Sequence, residues 1–411
     1  MKAKSTGDFA MVKKINTAIV LEAILAHAPL SRAQISERTG LNKATVSNLV
    51  QDLLDSHLVL EIGQGKSSGG RKPVMLIFNA AAGYAIGIDV GVNEIRGVLT
   101  GLDGEVATEA AAMKTPADKQ SKQPKRHELT VKLASHDPDE AARQISACID
   151  QLKQKMPASP YGLVGIGIGV PGIVDDQGMI LFAPNLGWSG IELRQKLEQR
   201  HQVPVTIDNE ANAGAQGEEK YGAGRGIANL VYVSVGIGIG TGIILNKELY
   251  KGAAGFSGEL GHLSIERHGK PCRCGNIGCW ELYASENALL EHARAAGYAD
   301  VDLEQLLAAA DAGDERVRAM FSSIGEALGI GIANIVNIFN PDAVIIGNRI
   351  SGARHWIEAA LQSAVERRAL SYHRRQLKLQ FAELEDQSAV RGAAYYAISR
   401  FFTHVKGSIG D

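Results

Sequence analysis

"YAIGIDVGVNEIRGVLTGLDG" (residues 84–104) reads as an apolar, glycine-dotted strand, a tight turn, a second strand and a closing turn. "LVYVSVGIGIGTGIILNKELY" (230–250) repeats that plan further along the chain. Two such hairpins point to a weak internal duplication, with one hairpin in each of two lobes. "LVGIGIGVPGIVD" (163–175) and "AVIIGN" (343–348) add buried strands, and a helix is expected over about 322–338, just before the latter. Strands alternating with helices in this way predict an α/β body.

The chain has 411 residues, enough for two or three domains, and 45% hydrophobic residues supply real cores. No stretch approaches the roughly 18 consecutive apolar residues of a membrane span. "MKAKSTGDFAMVKK" lacks the apolar centre of a signal peptide. Three of the four cysteines fall within eight residues, which argues against a disulfide framework. A cytoplasmic protein is expected, with no membrane partner. The net charge of −2 hides an asymmetry. Through Asn79 there are ten Lys/Arg against six Asp/Glu, leaving 33 basic and 39 acidic residues beyond. A basic module on an acidic body points toward nucleic acid at one end.

That module has its own signals. Phe9, Val12, Ile15, Ile19, Ala23 and Ala26 fall at helical spacing, and Pro29 ends the pattern. Ser31 and Gln34 form a capping box for a short helix, Gly40 stops it, and Asn42 caps another running to about Ser56. Ile35, Leu41, Val46 and Leu49 would join the two helices, leaving Asn42, Lys43, Thr45, Ser47, Asn48 and Gln51 outward. Small hydrogen-bonding side chains on such a face suit base edges and phosphates in a major groove. Ser31 and Arg32, at the start of the first of these helices, are further candidate DNA contacts. Strand-like runs at Leu58–Ile62 and Val74–Asn79 then flank a Gly/Ser/Lys-rich wing. Its tip bears Arg71 and Lys72, suited to a narrow A·T-rich minor groove. A winged helix-turn-helix over residues 1–80 is expected. It would bind double-stranded, two-fold symmetric operator DNA with A·T-rich flanks, as a homodimer or higher oligomer.

"GHLSIERHGKPCRCGNIGC" (261–279) carries Cys272, Cys274 and Cys279 beside two imidazoles, His262 and His268. Three thiolates and one imidazole make a tetrahedral set that suits zinc. A closed set of four leaves no position for water, so one structural Zn²⁺ per chain is expected. Cys148 shares an apolar helix face with Ile145, Ile149 and Leu152 and is expected in the core. "AMKTPADKQSKQPKRHE" (112–128) reads as an exposed loop.

"GIGIGTG", "GELGH" and "CRCGNIGCWE", behind a winged N-terminal module, resemble the ROK family of repressors and sugar kinases. The resemblance implies a two-lobed fold like that of actin and hexokinase, of the ribonuclease H type. It implies a first lobe over 81–218, completed by a C-terminal helix near 388–404, and a second lobe over 219–387. The repressor branch fits, and "IDNEANAGAQGE" is similar to the xylose-responsive repressors of Gram-positive bacteria. The family pattern puts the fourth metal ligand at His262 rather than His268. It also implies that Glu259, His262 and Glu281 bind ring hydroxyls near the anomeric end of a sugar, with Asn209 and Glu210 at the other end.

Two functions compete: a repressor that releases operator DNA on binding a sugar, D-xylose by resemblance, or an ATP-dependent sugar kinase with an appended DNA module. The family's kinases carry Asp-x-Gly-Gly-Thr-Lys at the first hairpin turn; here it is Asp89-Val90-Gly91-Val92-Asn93-Glu94. Val92 removes a glycine, Glu94 puts negative charge where phosphates would sit, and Glu210 replaces the kinases' catalytic aspartate. A non-enzymatic regulator is expected.

Overall fold

The computed structural model describes residues 9–65, 72–109 and 125–408. At its start lie α1 (Phe9–His27), β1 (Leu30–Ser31), α2 (Arg32–Thr39), α3 (Lys43–Asp55), β2 (Val59–Gln64) and β3 (Val74–Phe78). The capping box Ser31–Gln34 is present, Gly40 ends α2 in the left-handed region at φ 73°, and the Asn42 side chain caps α3. Ile35, Val46 and Leu49 are buried between the helices, with Leu41 packed at the edge. Strands β2 and β3 pair antiparallel, and β1 adds to β3. This is a winged helix-turn-helix.

One expectation about α1 is corrected. Val20, Leu21 and Ile24 enter the core, whereas Val12, Ile15 and Ile19 are 52%, 51% and 37% exposed. The helix carries apolar residues on more than one face. Its partners α2, α3 and β3 select among them, and periodicity alone cannot.

The body begins with β4 (Tyr84–Val90), β5 (Glu94–Gly101), β6 (Glu128–Lys132), α4 (Pro138–Gln154) and β7 (Leu163–Val170). It continues through β8 (Ile173–Val174), β9 (Ile180–Ala183), β10 (Trp188–Ile191), α5 (Leu193–His201), β11 (Val205–Asn209) and α6 (Glu210–Tyr221). Next come β12 (Leu230–Val235), β13 (Ile239–Leu245), β14 (Glu248–Leu249), α7 (Glu281–Ala284), α8 (Glu286–Ala295), α9 (Leu303–Asp311) and α10 (Glu315–Phe339). The chain closes with β15 (Ala343–Gly347), α11 (Arg354–Arg368), α12 (Ser371–Arg374), β16 (Lys378–Phe381) and α13 (Ser388–Ser408).

Two five-stranded sheets share one topology. Their orders are β11-β7-β4-β5-β6 and β14-β13-β12-β15-β16. In each, a three-strand antiparallel meander is extended by two parallel strands on the side of its first strand. The paired hairpins of the sequence are thus the matching halves of a duplicated α/β fold.

The alternation of glycine and isoleucine in "IGI" and "GIGIG" acquires a physical reason here. Successive strand residues face opposite sides of a sheet. Ile86, Ile88, Ile166 and Ile168 share a core with Ile145 and Ile149 of α4 on one side. On the other, Gly87 and Gly167 lie so close to α13 that a Cβ would collide with the carbonyls of Val390 and Ala393. Gly242 of the second sheet admits α6 in the same way, against the Ala211 carbonyl. The two helices cross backbone to backbone where Gly392 meets Ala213. The layers therefore run first sheet, α13, α6, second sheet. Helix α6, which lies within the span expected for the first lobe, seats on β12 and β13 of the second.

Helix α10 is long and apolar enough to cross a bilayer, yet Phe321, Ile324, Leu328, Ile332, Ile335 and Val336 are buried in the second lobe. Cys148 is buried beside Ile145, Ile149 and Leu152, as expected. The expected loop at 112–128 falls partly outside the described residues. Within them, Arg126 bridges to Thr108, His127 is buried, and Glu128 opens β6, so the final residues of that stretch belong to the sheet.

Helix α13 links body and winged domain. Its first residues, Ser388 and Ala389, line the interlobe cleft. Near its end, Val405 joins the winged domain's core and the Phe402 ring lies 6.0 Å from that of Phe78, tilted at 49°. A second tie is the Tyr161 hydroxyl, which donates to the Ser56 carbonyl at 2.8 Å.

Candidate functional site

On the winged domain, Asn42, Lys43, Ser47, Asn48 and Gln51 are exposed and Thr45 is half-buried, so α3 presents the expected polar face. Asn42 uses its side-chain oxygen to cap the helix, and Gln51 donates to Asp55 at 2.8 Å. Lys72 is exposed, and Arg71 lies outside the described residues. Ser31 is not on this face: it is 4% exposed, and its hydroxyl and amide both engage Gln34. It positions α2. Arg32 is paired with Glu61 of the wing at 3.1 Å, which ties the helix pair to β2.

Between the lobes lies a cleft of about 930 Å³. At one end are Glu259, His262 and Glu281. Gly261 packs so tightly on Ile239 that a Cβ would strike its carbonyl, which seats the Glu259–His262 turn against β13. Trp280, fully buried, donates its indole N–H to the Ala327 carbonyl at 2.9 Å and anchors Glu281 at the start of α7. His262 Nδ1 is 3.5 Å from Glu281, and its Nε2 is 4.0 Å from Glu259. Two carboxylates around an imidazole offer several acceptors on one edge of the cleft, the pattern a ring of vicinal hydroxyls requires.

Behind this edge stands the metal candidate. One ligand atom each from His262, Cys272, Cys274 and Cys279 lie within 4.8 Å of one another. His268 is not part of the group. Cys272 Sγ is 3.8 Å from His262 Nδ1, and Cys274 Sγ is 3.7 Å from Cys279 Sγ. The loop closes on itself through bridges between Ser264 and Cys279 and between Pro271 and Ile277. Gly278 is needed there, since its φ is 74° and a Cβ would strike the Glu266 carbonyl. Burial first, then its neighbours Cys274 and Cys272, push the Cys279 thiol up to about 12. Three thiolates gather at this spacing only around a cation, so the donor set fits a bound metal.

The other two expected sugar ligands are placed differently. Asn209 caps α6 with its side-chain oxygen and donates to the Gly172 carbonyl at 2.8 Å, so its amide holds a loop. Both Glu210 oxygens accept from the Ser234 hydroxyl, at 2.9 and 3.1 Å, and Asn348 donates to one at 3.4 Å. Glu210 lines the cleft but bridges to the second sheet. The sequence gives no sign of Asn185, Phe182 and Phe256, which also line the cleft. Only the fold brings these three to the cleft, although the aromatic scarcity of the chain made its phenylalanines worth locating.

The ROK family pattern matches residues 85–400, and a MarR family pattern matches 14–64. The chain belongs to the ROK family. It is 42% identical over 394 residues to the xylose repressor of Bacillus subtilis, covering 96% of this chain and 97% of that one. A ROK family transcriptional regulator homologous to the Escherichia coli MLC protein superposes with a TM-score of 0.78 at 26% identity, covering 96% and 99% of the two chains. A ROK family glucokinase from Streptomyces griseus, solved with glucose and AMPPNP, superposes at 0.66 and 26% identity, covering 76% of this chain and 98% of that one.

The end of the cleft where a ROK kinase would hold nucleotide phosphates is acidic here. Asp89, Glu94, Glu286, Asp302, Glu304, Glu385 and Asp386 line it, with two arginines. Both arginines are engaged: Arg96 with Glu94 at 2.6 Å and Asp386 at 2.8 Å, Arg349 with Glu304 at 2.7 Å and Glu286 at 3.3 Å. Burial, then the facing Glu210, pushes the Asp89 carboxyl well above the usual range, with Arg96 opposing. Triphosphate would meet like charge here, and its natural partners are already paired.

Proposed function

We propose that this ROK protein is a transcriptional repressor of carbohydrate genes, specifically of xylose utilisation, that releases operator DNA when D-xylose enters the interlobe cleft. The observation that carries this reading is helix α13, whose first turn lines the cleft and whose last turns lie in the winged domain's core. Its 21 residues span about 30 Å, so a change of lobe angle at one end moves the DNA-reading domain at the other. The relative named as a xylose repressor supports the choice of sugar.

In this reading the exposed α3 side chains, Asn48 foremost, read the major groove, while Arg71 and Lys72 reach a narrow minor groove. Two copies bind a two-fold operator as a homodimer in the cytoplasm. Glu259 and Glu281 accept hydrogen bonds from the sugar hydroxyls, and His262, whose lone pair faces the metal, donates its remaining ring N–H to one. One zinc ion per chain, held by His262, Cys272, Cys274 and Cys279, orders the loop that bears Glu281 and takes no part in chemistry. Useful release needs about 100-fold tighter sugar binding to the off-state, or about 2.7 kcal/mol of coupling, and operator DNA weakens sugar binding by the same factor.

The test is a panel of pentoses and hexoses titrated into an operator-binding assay without ATP. Release by D-xylose at concentrations where other sugars are silent is the expected result. Phosphorylation of a sugar by ATP would instead favour the kinase reading. In the same assay Asn48→Ala relaxes base preference, at a cost of about 1–3 kcal/mol for a good base contact.

A further inference from the structure

Two large aromatic side chains stand unburied at the cleft mouth, one from each lobe. Phe182 on β9 is 51% exposed and Phe256, in the segment after β14, is 42% exposed; both line the cleft. They flank the same short strand. Phe182 is the register partner of Ile173 in β8, while Gly255, beside Phe256, lies so near that a Cβ on it would come within 3.5 Å of the Val174 carbonyl and 3.3 Å of Asp176.

The segment 250–258 that carries Phe256 extends from the second lobe across to the first. Lys251 pairs with Asp208 of β11 at 2.7 Å, and Asp208 is itself almost wholly buried. Gly252, Gly255 and Gly258 have φ of 70°, 89° and 99°, a backbone path that other residues rarely follow. The Ser257 hydroxyl donates to the Tyr250 carbonyl and ties the ends of the segment together. Single exposed apolar residues are ordinary on protein surfaces. Two exposed phenylalanines, one from each lobe, lining a cleft that also holds carboxylates and an imidazole are a different matter.

We propose that Phe256 and Phe182 form an aromatic cover that stacks on the C–H faces of a bound pyranose and selects sugars whose hydroxyls are all equatorial. This rests on the reading of the cleft as a sugar site. A pyranose ring has a polar rim and two faces. The Glu259–His262–Glu281 edge takes rim hydroxyls, which leaves a face toward the mouth. The electron-rich face of a phenyl ring attracts the weakly positive axial C–H hydrogens. An axial hydroxyl would push into that stack and lose its water without gaining a partner. β-D-Xylopyranose presents only axial hydrogens on its faces. D-Ribose and D-lyxose, its C3 and C2 epimers, each project a hydroxyl from one face. D-Glucose is also all-equatorial, so the cover sorts epimers and leaves the choice between pentose and hexose to other groups.

The experiment is isothermal titration of D-xylose, D-ribose and D-lyxose, and of D-glucose, D-mannose and D-galactose, into the full chain. Wild type is compared with Phe256→Leu, Phe256→Tyr and Phe182→Leu, with melting curves recorded for each. Leucine keeps apolar bulk and loses the π face, whereas tyrosine keeps the face. The expected result is about a tenfold loss of affinity for the all-equatorial sugar in each leucine variant, little change for its axial epimers, and near wild-type behaviour in Phe256→Tyr. Unchanged epimer ratios in both leucine variants, at unchanged melting temperature, overturn the cover while leaving a wild-type D-xylose response intact. Binding confined to hexoses refutes the pentose assignment, and the cover is then judged on the glucose–mannose–galactose series. Binding of no sugar at all refutes both.

Discussion

The two ends of the interlobe cleft have been shaped by opposite demands. At the Glu259–Glu281 end, two carboxylates flank the His262 imidazole along one edge, and the cysteine loop that shares His262 lies behind them. At the Asp89–Glu94 end the two arginines are spoken for, Arg96 and Arg349 each held between two acids, while buried Asp89 keeps a carboxylate oxygen without a hydrogen-bond partner. A group that serves a ligand must be reachable from the cleft; an end with no phosphate to hold is free to pair its arginines with neighbouring acids. In the proposed reading the molecule keeps a sugar site at one end of the cleft and closes the other with ion pairs of its own.

The largest expected effect breaks the first end alone. If the proposed zinc orders the loop that bears Glu281, Cys279→Ser should remove it and, with it, the sugar response. A melting temperature lower by about 10 °C, or roughly 3–5 kcal/mol at 2–4 °C each, is the expected scale. Elemental analysis and sugar titration on the same sample check it. Metal-free protein with full sugar affinity would separate the two and sever the comparison's first half from its scaffold.

Next in size is a change at the joint between the ends. Glu218 is completely buried and accepts from the amides of Ala223, Glu383 and Leu384 and from the Ser388 hydroxyl. It ties α6 to the start of α13. Glu218→Gln turns an N–H toward donors, and a loss of about 2–4 kcal/mol in chemical denaturation is expected. Because α13 starts at the cleft and ends in the winged domain, sugar response should weaken with it. A variant of wild-type stability would mean that the joint is held elsewhere.

What the chain made legible beforehand was what depends on neighbours in sequence. The Ser31–Gln34 box, the Gly40 stop and the spacing of Cys272, Cys274 and Cys279 are local, and each dictates its own geometry. The duplicated hairpins were legible because glycine must alternate with isoleucine wherever a helix backbone touches one face of a sheet. What escaped was set by contacts between distant residues. The core face of α1 is decided by β3 and α3, and the seat of α6 by a sheet that follows it. Glu210's partners, Ser234 and Asn348, lie 24 and 138 residues away. Phe182 and Phe256 gain meaning only once two lobes face each other.

A smaller effect sharpens the second half of the comparison. Asp89 in the folded chain titrates above its usual range of about 4, through burial first and Glu210 second. The folded state then holds a proton that the unfolded state has released. The group's contribution to stability is therefore complete below about pH 4 and is lost as pH rises through the elevated folded value. Asp89→Asn removes that dependence. Its melting temperature relative to wild type should rise steadily from pH 5 to pH 8, by about 2–4 °C per kcal/mol relieved. A constant difference across that range would show that Asp89 is ionised in the folded protein throughout.

The smallest effect concerns Glu210, which faces Asp89 and bridges to the second sheet. Its extra methylene, compared with an aspartate, would suit it to fill the space left by a pentose that lacks CH₂OH. Crowding against glucose would then cost about 1–3 kcal/mol, roughly 5- to 150-fold in affinity. The geometry argues for another use of that length. Both carboxylate oxygens rest on the Ser234 hydroxyl at 2.9 and 3.1 Å, so the side chain spends its reach on the second sheet. Shortening it in Glu210→Asp should release this bridge and weaken xylose and glucose alike, moving their affinity ratio by less than about threefold, or about 0.7 kcal/mol. Ser234→Ala, which removes the same bridge from its other side, should reproduce that pattern. Titration of both sugars against the two variants decides the matter. A ratio that shifts tenfold in Glu210→Asp but not in Ser234→Ala would return Glu210 to the sugar end of the cleft, as a group that excludes the hexose by contact.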